Sequence, residues 1–383
     1  MMINVVPTIL YSAMMGVIIS ALARTAWEPR YKQNKYLTGL LFLLFIHIAG
    51  ELYIYSGVYR YAPSIAGFQL PIRMLLGPAL YFYAFTAMLP TRRVTLKSQL
   101  IALSGPLIIV VVMIPFVFSM SSEQKLALAN PSTRDHELWK VAIFTCATAA
   151  ITFILFTFAY LFAAFVLHAK HKQQLMDKYS AIEQRSMDWL RVLPFLWGLV
   201  WLFYAADYAL TFFGVKWLSI SVFLPVFELG VLISFVQLAF KQIQLTESEK
   251  SSEPVVTDRE AIISQDKMGL IANKLTSAMV EQSLYKDEDL SLNSLSNHIS
   301  VSENHISETL SQYLETNFFQ FVNRYRVEEA KALLTNSEKL VSTIAYEVGF
   351  KSKSTFNSAF KKQVGETPTA YKKSFQYKKA AIE

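Results

Sequence analysis

Apolar runs of membrane length, separated by short polar stretches, fill residues 1–240, and the pattern stops there. The runs predict seven helical spans, at about 5–26, 37–58, 71–89, 99–119, 139–167, 193–213 and 217–240, each long enough for a bilayer core of about 30 Å at 1.5 Å per residue. After Phe240 the chain reads KQIQLTESEKSSEPVVTDRE, a polar linker with one proline. From Lys267 onward an amphipathic period of 3.6 residues returns and predicts short helices.

The most informative of these is IAYEVGFKSKSTFNSAFKKQVGETPTAY. Ile344, Ala345 and Val348 form an apolar helical face, Gly349 permits a turn with positive φ, and Ser354–Phe360 opens a second helix with Phe356 and Phe360 turned inward. That is a helix-turn-helix, a unit that lays its second helix in a major groove. A first copy occupies Leu292–Leu314, with Leu295 matching Ile344, Ile299 matching Val348, Ile306 matching Phe356 and Leu310 matching Phe360. Between the copies FFQFVNRYRVEEAKALL, Phe318–Leu334, predicts a single joining helix.

Composition agrees with a membrane half and a soluble half. Hydrophobic residues make up 53% and charged residues 17% of the 383, more apolar than a soluble chain of this length. The formal net charge is +7, and its distribution gives the orientation. Arg24, Arg30, Lys32 and Lys35 follow the first span, Arg92, Arg93 and Lys97 the third, and Lys170, Lys172, Lys178, Arg185 and Arg191 the fifth. Arg60, Lys125, Arg134 and Lys216 occupy the opposite side, with Arg73 and Lys140 at span edges. Basic loops stay inside, so the N-terminus is expected outside and the C-terminus in the cytoplasm. The first span lacks a basic n-region and is long, which favours a retained span over a cleaved signal. The lone Cys146 falls within the fifth span and reads as a small packing residue. Lys351, Lys353, Lys361, Lys362, Lys372, Lys373, Lys378 and Lys379 are opposed only by Glu366 in their stretch, which concentrates positive potential at the C-terminal end.

Two helix-turn-helix units at a fixed offset, Arg326 and Ala330 in the joining helix, IAYEVGF, and GETPTAYKKS at 365–374 together resemble the DNA-binding domain of the AraC/XylS family of bacterial transcription regulators. The resemblance covers residues 267–375. It implies a seven-helix, two-lobed domain that reads successive major-groove segments of double-stranded DNA. Carried onto this chain, it makes Asn304, Ser307 and Glu308 base-facing in the first lobe and Lys353, Ser354, Asn357 and Ser358 base-facing in the second. Lys351, Lys361 and Lys362 become phosphate contacts. The first lobe departs from the family pattern, because Glu308 stands where a basic residue is common and Ser311 and Gln312 follow it. The second lobe is therefore expected to dominate affinity, with a homodimer or raised local concentration compensating for the first.

Ionisable residues inside spans are costly and mark either a site or a structural pair. His47 and Glu51 share one face of the second span, Arg73 opens the third, Asp207 lies in the sixth and Glu228 in the seventh. Glu51 and Asp207 each fall about 20 Å above the cytoplasmic side at 1.5 Å per residue. A ligand pocket of His47, Glu51, Arg73, Asp207 and Glu228, bounded by Tyr53, Tyr55, Tyr204 and Tyr208, is one reading. A structural network with Arg73 paired to Glu51 or Asp207, and the tyrosines in the interfacial belt, is the other. His47 and Glu51 alone are too few to imply a metal, and no metal or other cofactor is expected. Neither a P-loop, a zinc-type Cys/His set nor a nucleophile elbow occurs, so the chain reads as a binding protein and not an enzyme.

The expected fold class is all-α, a seven-transmembrane helical bundle followed by a seven-helix AraC-type double helix-turn-helix domain. Its parts are a sensor domain at 1–240, a juxtamembrane linker at 241–266 and a DNA-binding domain at 267–378. The expected function is a one-component transcription regulator of the bacterial inner membrane that binds DNA under control of a small ligand or membrane signal. A transporter or membrane enzyme with an autoregulatory tail, and an anchored regulator released by proteolysis, are the alternatives.

Overall fold

The computed structural model describes residues 4–28, 35–89, 92–128, 135–183, 185–212, 220–250 and 263–380, and among these it is helical with no strand. The backbone divides into two compact units, Met1–His168 with Asp188–Ser252, and Ala169–Met187 with Glu253–Glu383. This division assigns 169–187, which lie in the expected basic loop between the fifth and sixth spans, to the second unit.

The first unit contains α1 (Val5–Trp27), α2 (Lys35–Tyr55), α3 (Gln69–Arg73), α4 (Leu76–Met88), α5 (Leu96–Phe118), α6 (Ser122–Leu128) and α7 (His136–Lys178), whose last residues pass into the second unit. Then come α8 (Trp189–Phe212) and α9 (Ile220–Lys250). Among the described residues six segments are long and apolar enough to cross a membrane, including Pro63–Met88 taken as one; Trp189–Val200 is a shorter apolar stretch. The third expected span is broken at Met74 and Leu75 because Pro78, in the first turn of α4, has no N–H for the Met74 carbonyl and its ring crowds that carbonyl.

α1 packs on α2 and α9, α2 on α4, and α9 on α8, burying Tyr11, Ile18, Leu40 and Tyr83 completely. By contrast α5 leaves Leu100, Leu107, Val111 and Phe118 exposed, and α7 leaves Phe144, Leu155, Phe158 and Phe162 exposed. Such side chains on membrane-length helices are stable only where another apolar phase meets them. α9 continues past Phe240 as helix to Lys250, so the first residues of the expected linker are helical. Ser251 and Ser252, and the rest of the linker to 262, lie outside the described residues, as do Arg30, Lys32, Arg134 and Lys216.

The second unit contains α10 (Gln265–Val280), α11 (Leu292–Ile299), α12 (Glu303–Glu308), α13 (Phe318–Asn336), α14 (Val341–Glu347), α15 (Lys353–Val364) and α16 (Pro368–Ala380). Its helix starts are written in the sequence. Ser291, Ser302, Asn317 and Ser352 each cap a helix by accepting from a backbone N–H in the first turn, and Ser291 and Ser294 form a reciprocal box. Gly365, at φ 92°, ends α15, and Pro368 opens α16. One core gathers Met268, Leu275, Leu295, Ile306, Leu310 and Phe321, and a second gathers Val327, Ile344, Val348, Phe356 and Phe360. α13 serves both cores, its N-terminal half the first and its C-terminal half the second.

Candidate nucleic-acid interface

α11 and α12 form one helix-turn-helix and α14 and α15 the other. In the second, Phe356 and Phe360 are fully buried, stack edge-on at 5.6 Å and anchor α15 by one face. The 3.6-residue period then turns Ser354 and Ser358 to the far side, both exposed, and Asn357 to the flank, half-buried, whereas Lys353 lies three residues before Phe356 on the same stripe and is exposed at the first helical position. Lys361 and Lys362, in the last turn, are exposed as well. These expected residues all lie on α15, and all but Asn357 are exposed.

α12 repeats the arrangement. Ile306 and Leu310 are buried, Asn304 is exposed, and Ser307 and Glu308 are half-buried. The helix is shorter than its counterpart because residues Thr309–Tyr313 relax into a π turn, on which Ser311 and Gln312 are exposed. The residue in the place of Lys353 is Glu303, whose carboxylate accepts from Asn293 Nδ2 at 2.7 Å. The offset between the two units already marks Glu303 in the sequence. The first α-helix that would meet DNA thus starts with a carboxylate and the second with an ammonium, so phosphate attraction is stronger at the second.

Lys351 is held differently from the expectation. Its ammonium pairs with Asp289, and only 22% of the side chain is exposed. A lysine already neutralised by a carboxylate is a weaker phosphate contact than Lys361 or Lys362.

The two lobes meet on Arg326, which is fully buried in α13. Its five N–H groups all find acceptors. Nε donates to Tyr285 O at 2.7 Å, Nη1 to Asn323 Oδ1 at 3.1 Å and Ser180 O at 3.3 Å, and Nη2 to Asp287 O at 2.7 Å and Ser180 Oγ at 3.2 Å. The guanidinium also lies 5.5 Å from the centre of the Phe350 ring. Burial pushes its pKa down to about 10, while Glu183, Asp287 and Glu288 act in the opposite direction, so it remains charged at neutral pH. Gly349 closes on the same carbonyls: at φ 94°, a Cβ there would sit 2.5 Å from Tyr285 O and 2.8 Å from Lys286 O. Nothing in the sequence indicates that Ser180 completes the arginine's shell.

In the first unit the expected ionisable residues form two groups. Arg73 pairs with Glu51. Glu228 accepts from Tyr11 Oη at 2.9 Å and lies 3.9 Å from His47 Nε2. His47 and Glu228 line a cavity of about 40 Å³ among Met14, Leu44, Leu80 and Phe235, with room for a water or two. Tyr53 donates to Ala62 O at 2.7 Å, and Tyr55 stacks on Tyr11 at 5.4 Å. Asp207 lies on α8 with Tyr204 and Tyr208, and the three side chains are outside the described residues. Among the described residues no group of three or more His, Cys, Asp or Glu could hold a metal ion.

The paired helix-turn-helix units and the basic face of α15 define a DNA-binding domain of the double helix-turn-helix class. A family model described as a helix-turn-helix domain matches residues 295–374. An uncharacterised HTH-type transcriptional regulator of Staphylococcus aureus is 32% identical over 113 residues, 30% of this chain and 14% of that protein. The melibiose operon regulatory protein of Escherichia coli K12 is 29% identical over 93 residues, 24% of this chain and 31% of that one. The solved C-terminal domain of the response regulator yesN of Fusobacterium nucleatum is 28% identical and is covered over 99% of its length by 28% of this chain, at a TM-score of 0.24. The C-terminal region is thus an AraC-type helix-turn-helix domain, similar to those of HTH-type transcriptional regulators. The chain spans only 14% of the length of the S. aureus relative, and the family-model match at 295–374 lies in the second unit.

Proposed function

We propose that the chain is a membrane-embedded one-component transcription regulator, in which seven spans sense a signal and a cytoplasmic, seven-helix domain reads double-stranded DNA. The observation that carries this reading is the presence, in one chain, of an AraC-type domain and of membrane-length helices whose large apolar side chains face outward on α5 and α7. A DNA-binding domain works in the cytoplasm, which agrees with the basic loops after the first, third and fifth spans and gives an N-terminus outside the bacterial inner membrane. The unbroken helix of α9 from Ile220 to Lys250 supports it as one lever between spans and reader.

In this reading Lys353, Ser354, Asn357 and Ser358 face bases, as do Asn304, Ser307 and Glu308, while Lys361 and Lys362 contact phosphate and Lys351 does so only if it leaves Asp289. His47, Glu51, Arg73, Asp207 and Glu228 form the sensing region, with the His47–Glu228 cavity as its centre, and a homodimer doubles the DNA contact. A signal acts only by favouring one arrangement of the spans over another.

Genome-wide DNA occupancy of the full-length protein in membranes, compared with a variant carrying alanine at Lys353, Ser354 and Asn357, tests the reading. Discrete peaks that vanish in the variant are expected; peaks that persist would remove α15 from recognition. In binding assays Lys353→Ala loses more affinity than Asn304→Ala, by roughly the 1–3 kcal/mol of one good base contact. Equal losses would refute the dominance of the second lobe.

A further inference from the structure

The last turns of α7 and the loop after it, residues 169–187, are the strongest feature not yet used. His168 Nε2 in α7 lies 3.2 Å from Asp188 Oδ1, just before α8. Residues 169–187 group with the DNA-binding unit although the chain on both sides belongs to the apolar one. Ala181, Ile182 and Ser186 are buried, and the Arg185 guanidinium lies 4.2 Å from the centre of the Tyr179 ring.

The contact is specific. Ser180 donates both its N–H and its hydroxyl to Leu290 O, at 3.2 and 2.6 Å, and Tyr179 forms a single antiparallel bridge with Ser291. Ser180 then accepts from Arg326 through its carbonyl and its hydroxyl oxygen. Three of the arginine's donors are satisfied within 263–380, and the segment takes the remaining two. A loop without a role at this place would leave those donors to water; here it replaces water inside the junction of the two lobes.

Residues 287–291 receive the contact and lie between both recognition units. Ser291 caps α11, the first helix of the first unit, and Asp289 holds Lys351, two residues before α15 begins. Anything that pulls on Leu290 therefore acts on the entry to α11, on the shell of Arg326 and on a lysine beside the second reading helix.

We propose that residues 169–187 are a regulatory clip: docked at Leu290 and Arg326, they set the relative placement of the two recognition helices, and the fifth and sixth spans control DNA binding by engaging or withdrawing them. This rests on the membrane-regulator reading and adds a second connection beside the 241–266 linker, one that acts at the lobe junction instead of on the tether. Withdrawal exposes two N–H groups of Arg326 and frees the 287–291 segment, so the docked and undocked states differ in a buried polar network and not only in position.

The test uses the full-length protein in membrane vesicles, with Cys146→Ser, Tyr179→Cys and Ser291→Cys. Directly opposed residues of an antiparallel pair stand within disulfide reach. Oxidation is expected to give an intramolecular cross-link, and binding of operator DNA found by the occupancy experiment is expected to differ between oxidised and reduced vesicles by at least about 5-fold, the lower end of typical coupling between sites. Ser180→Ala, which removes one of the two donors to Leu290 and the hydroxyl acceptor of Arg326, is expected to shift binding in the direction opposite to the cross-link. No cross-link in vesicles whose reduced protein binds DNA would overturn the docking. A cross-link with unchanged DNA binding would overturn the regulation. Vesicles that cross-link but bind no DNA in either state, with wild-type protein also showing no occupancy, would sink the regulator reading and leave the docked contact standing.

Discussion

Gly349→Ala is expected to unfold the second lobe and abolish DNA binding, at a cost of about 3–5 kcal/mol: roughly 1–2 for forcing a Cβ into a left-handed conformation and the remainder for overpacking. The second term arises because the added carbon would lie 2.5 Å from Tyr285 O and 2.8 Å from Lys286 O, backbone atoms that cannot rotate away. Tyr285 O is also the acceptor of Arg326 Nε, so its displacement disturbs the lobe junction. Gly365 is the internal control, since it has a similar φ of 92° but open space around its Cβ position. Gly365→Ala therefore carries only the conformational cost, about 1–2 kcal/mol. Hydrogen exchange at the Ile344, Val348 and Phe356 amides of the full-length protein separates them: protection collapses in the Gly349 variant and weakens modestly in the Gly365 variant. Equal effects would mean that the close approach to the 285–286 carbonyls does not exist in solution.

Arg326→Lys is expected to be nearly as damaging, although it conserves charge. Lysine offers three donors on a point-like ammonium where the guanidinium offers five in a planar fork, so at least two buried acceptors among Tyr285 O, Asp287 O, Asn323 Oδ1 and Ser180 lose their partner. Breaking a buried charged network of this kind costs about 3–5 kcal/mol. Because the residue joins two cores, protection should fall in both lobes, at Leu295 and Ile306 as well as Val348 and Phe360. Lys339→Ala provides the contrast: its pair with Glu347 is exposed on both sides, at 46% and 39%, and its loss is worth less than about 1 kcal/mol. A lysine variant with full protection and normal DNA occupancy would show that the junction tolerates loss of the fork.

Most of the DNA-binding half was legible because local rules and tertiary packing agree there. Gly349 makes the turn and the apolar period places Ile306, Leu310, Phe356 and Phe360 inward, as the sequence indicates, while Ser302 and Ser352 cap α12 and α15. Once those faces are buried, the outward direction of Ser354 and Ser358 follows from helix geometry. The pairing of Lys351 was not legible for a physical reason: an isolated lysine near a recognition helix is indistinguishable in sequence from one paired to Asp289, which lies far away along the chain. Likewise the apolar half declared its apolar runs, but hydropathy could not decide between a pocket and a network, since Arg73 had two carboxylates to choose from. The structure pairs it with Glu51 and gives Glu228 to Tyr11 and His47.

The sequence by itself determined the all-helical class, the apolar and DNA-reading halves and the paired helix-turn-helix units. Each of these depends on periodicity, capping and hydropathy, which act within a few turns of chain. Only the tertiary structure decided that Ser180 completes the shell of Arg326, that Glu228 rather than Glu51 meets His47, and that Lys351 is occupied by Asp289. Those contacts join residues remote in sequence, and the free energy of satisfying buried donors, which selects among them, has no local signature.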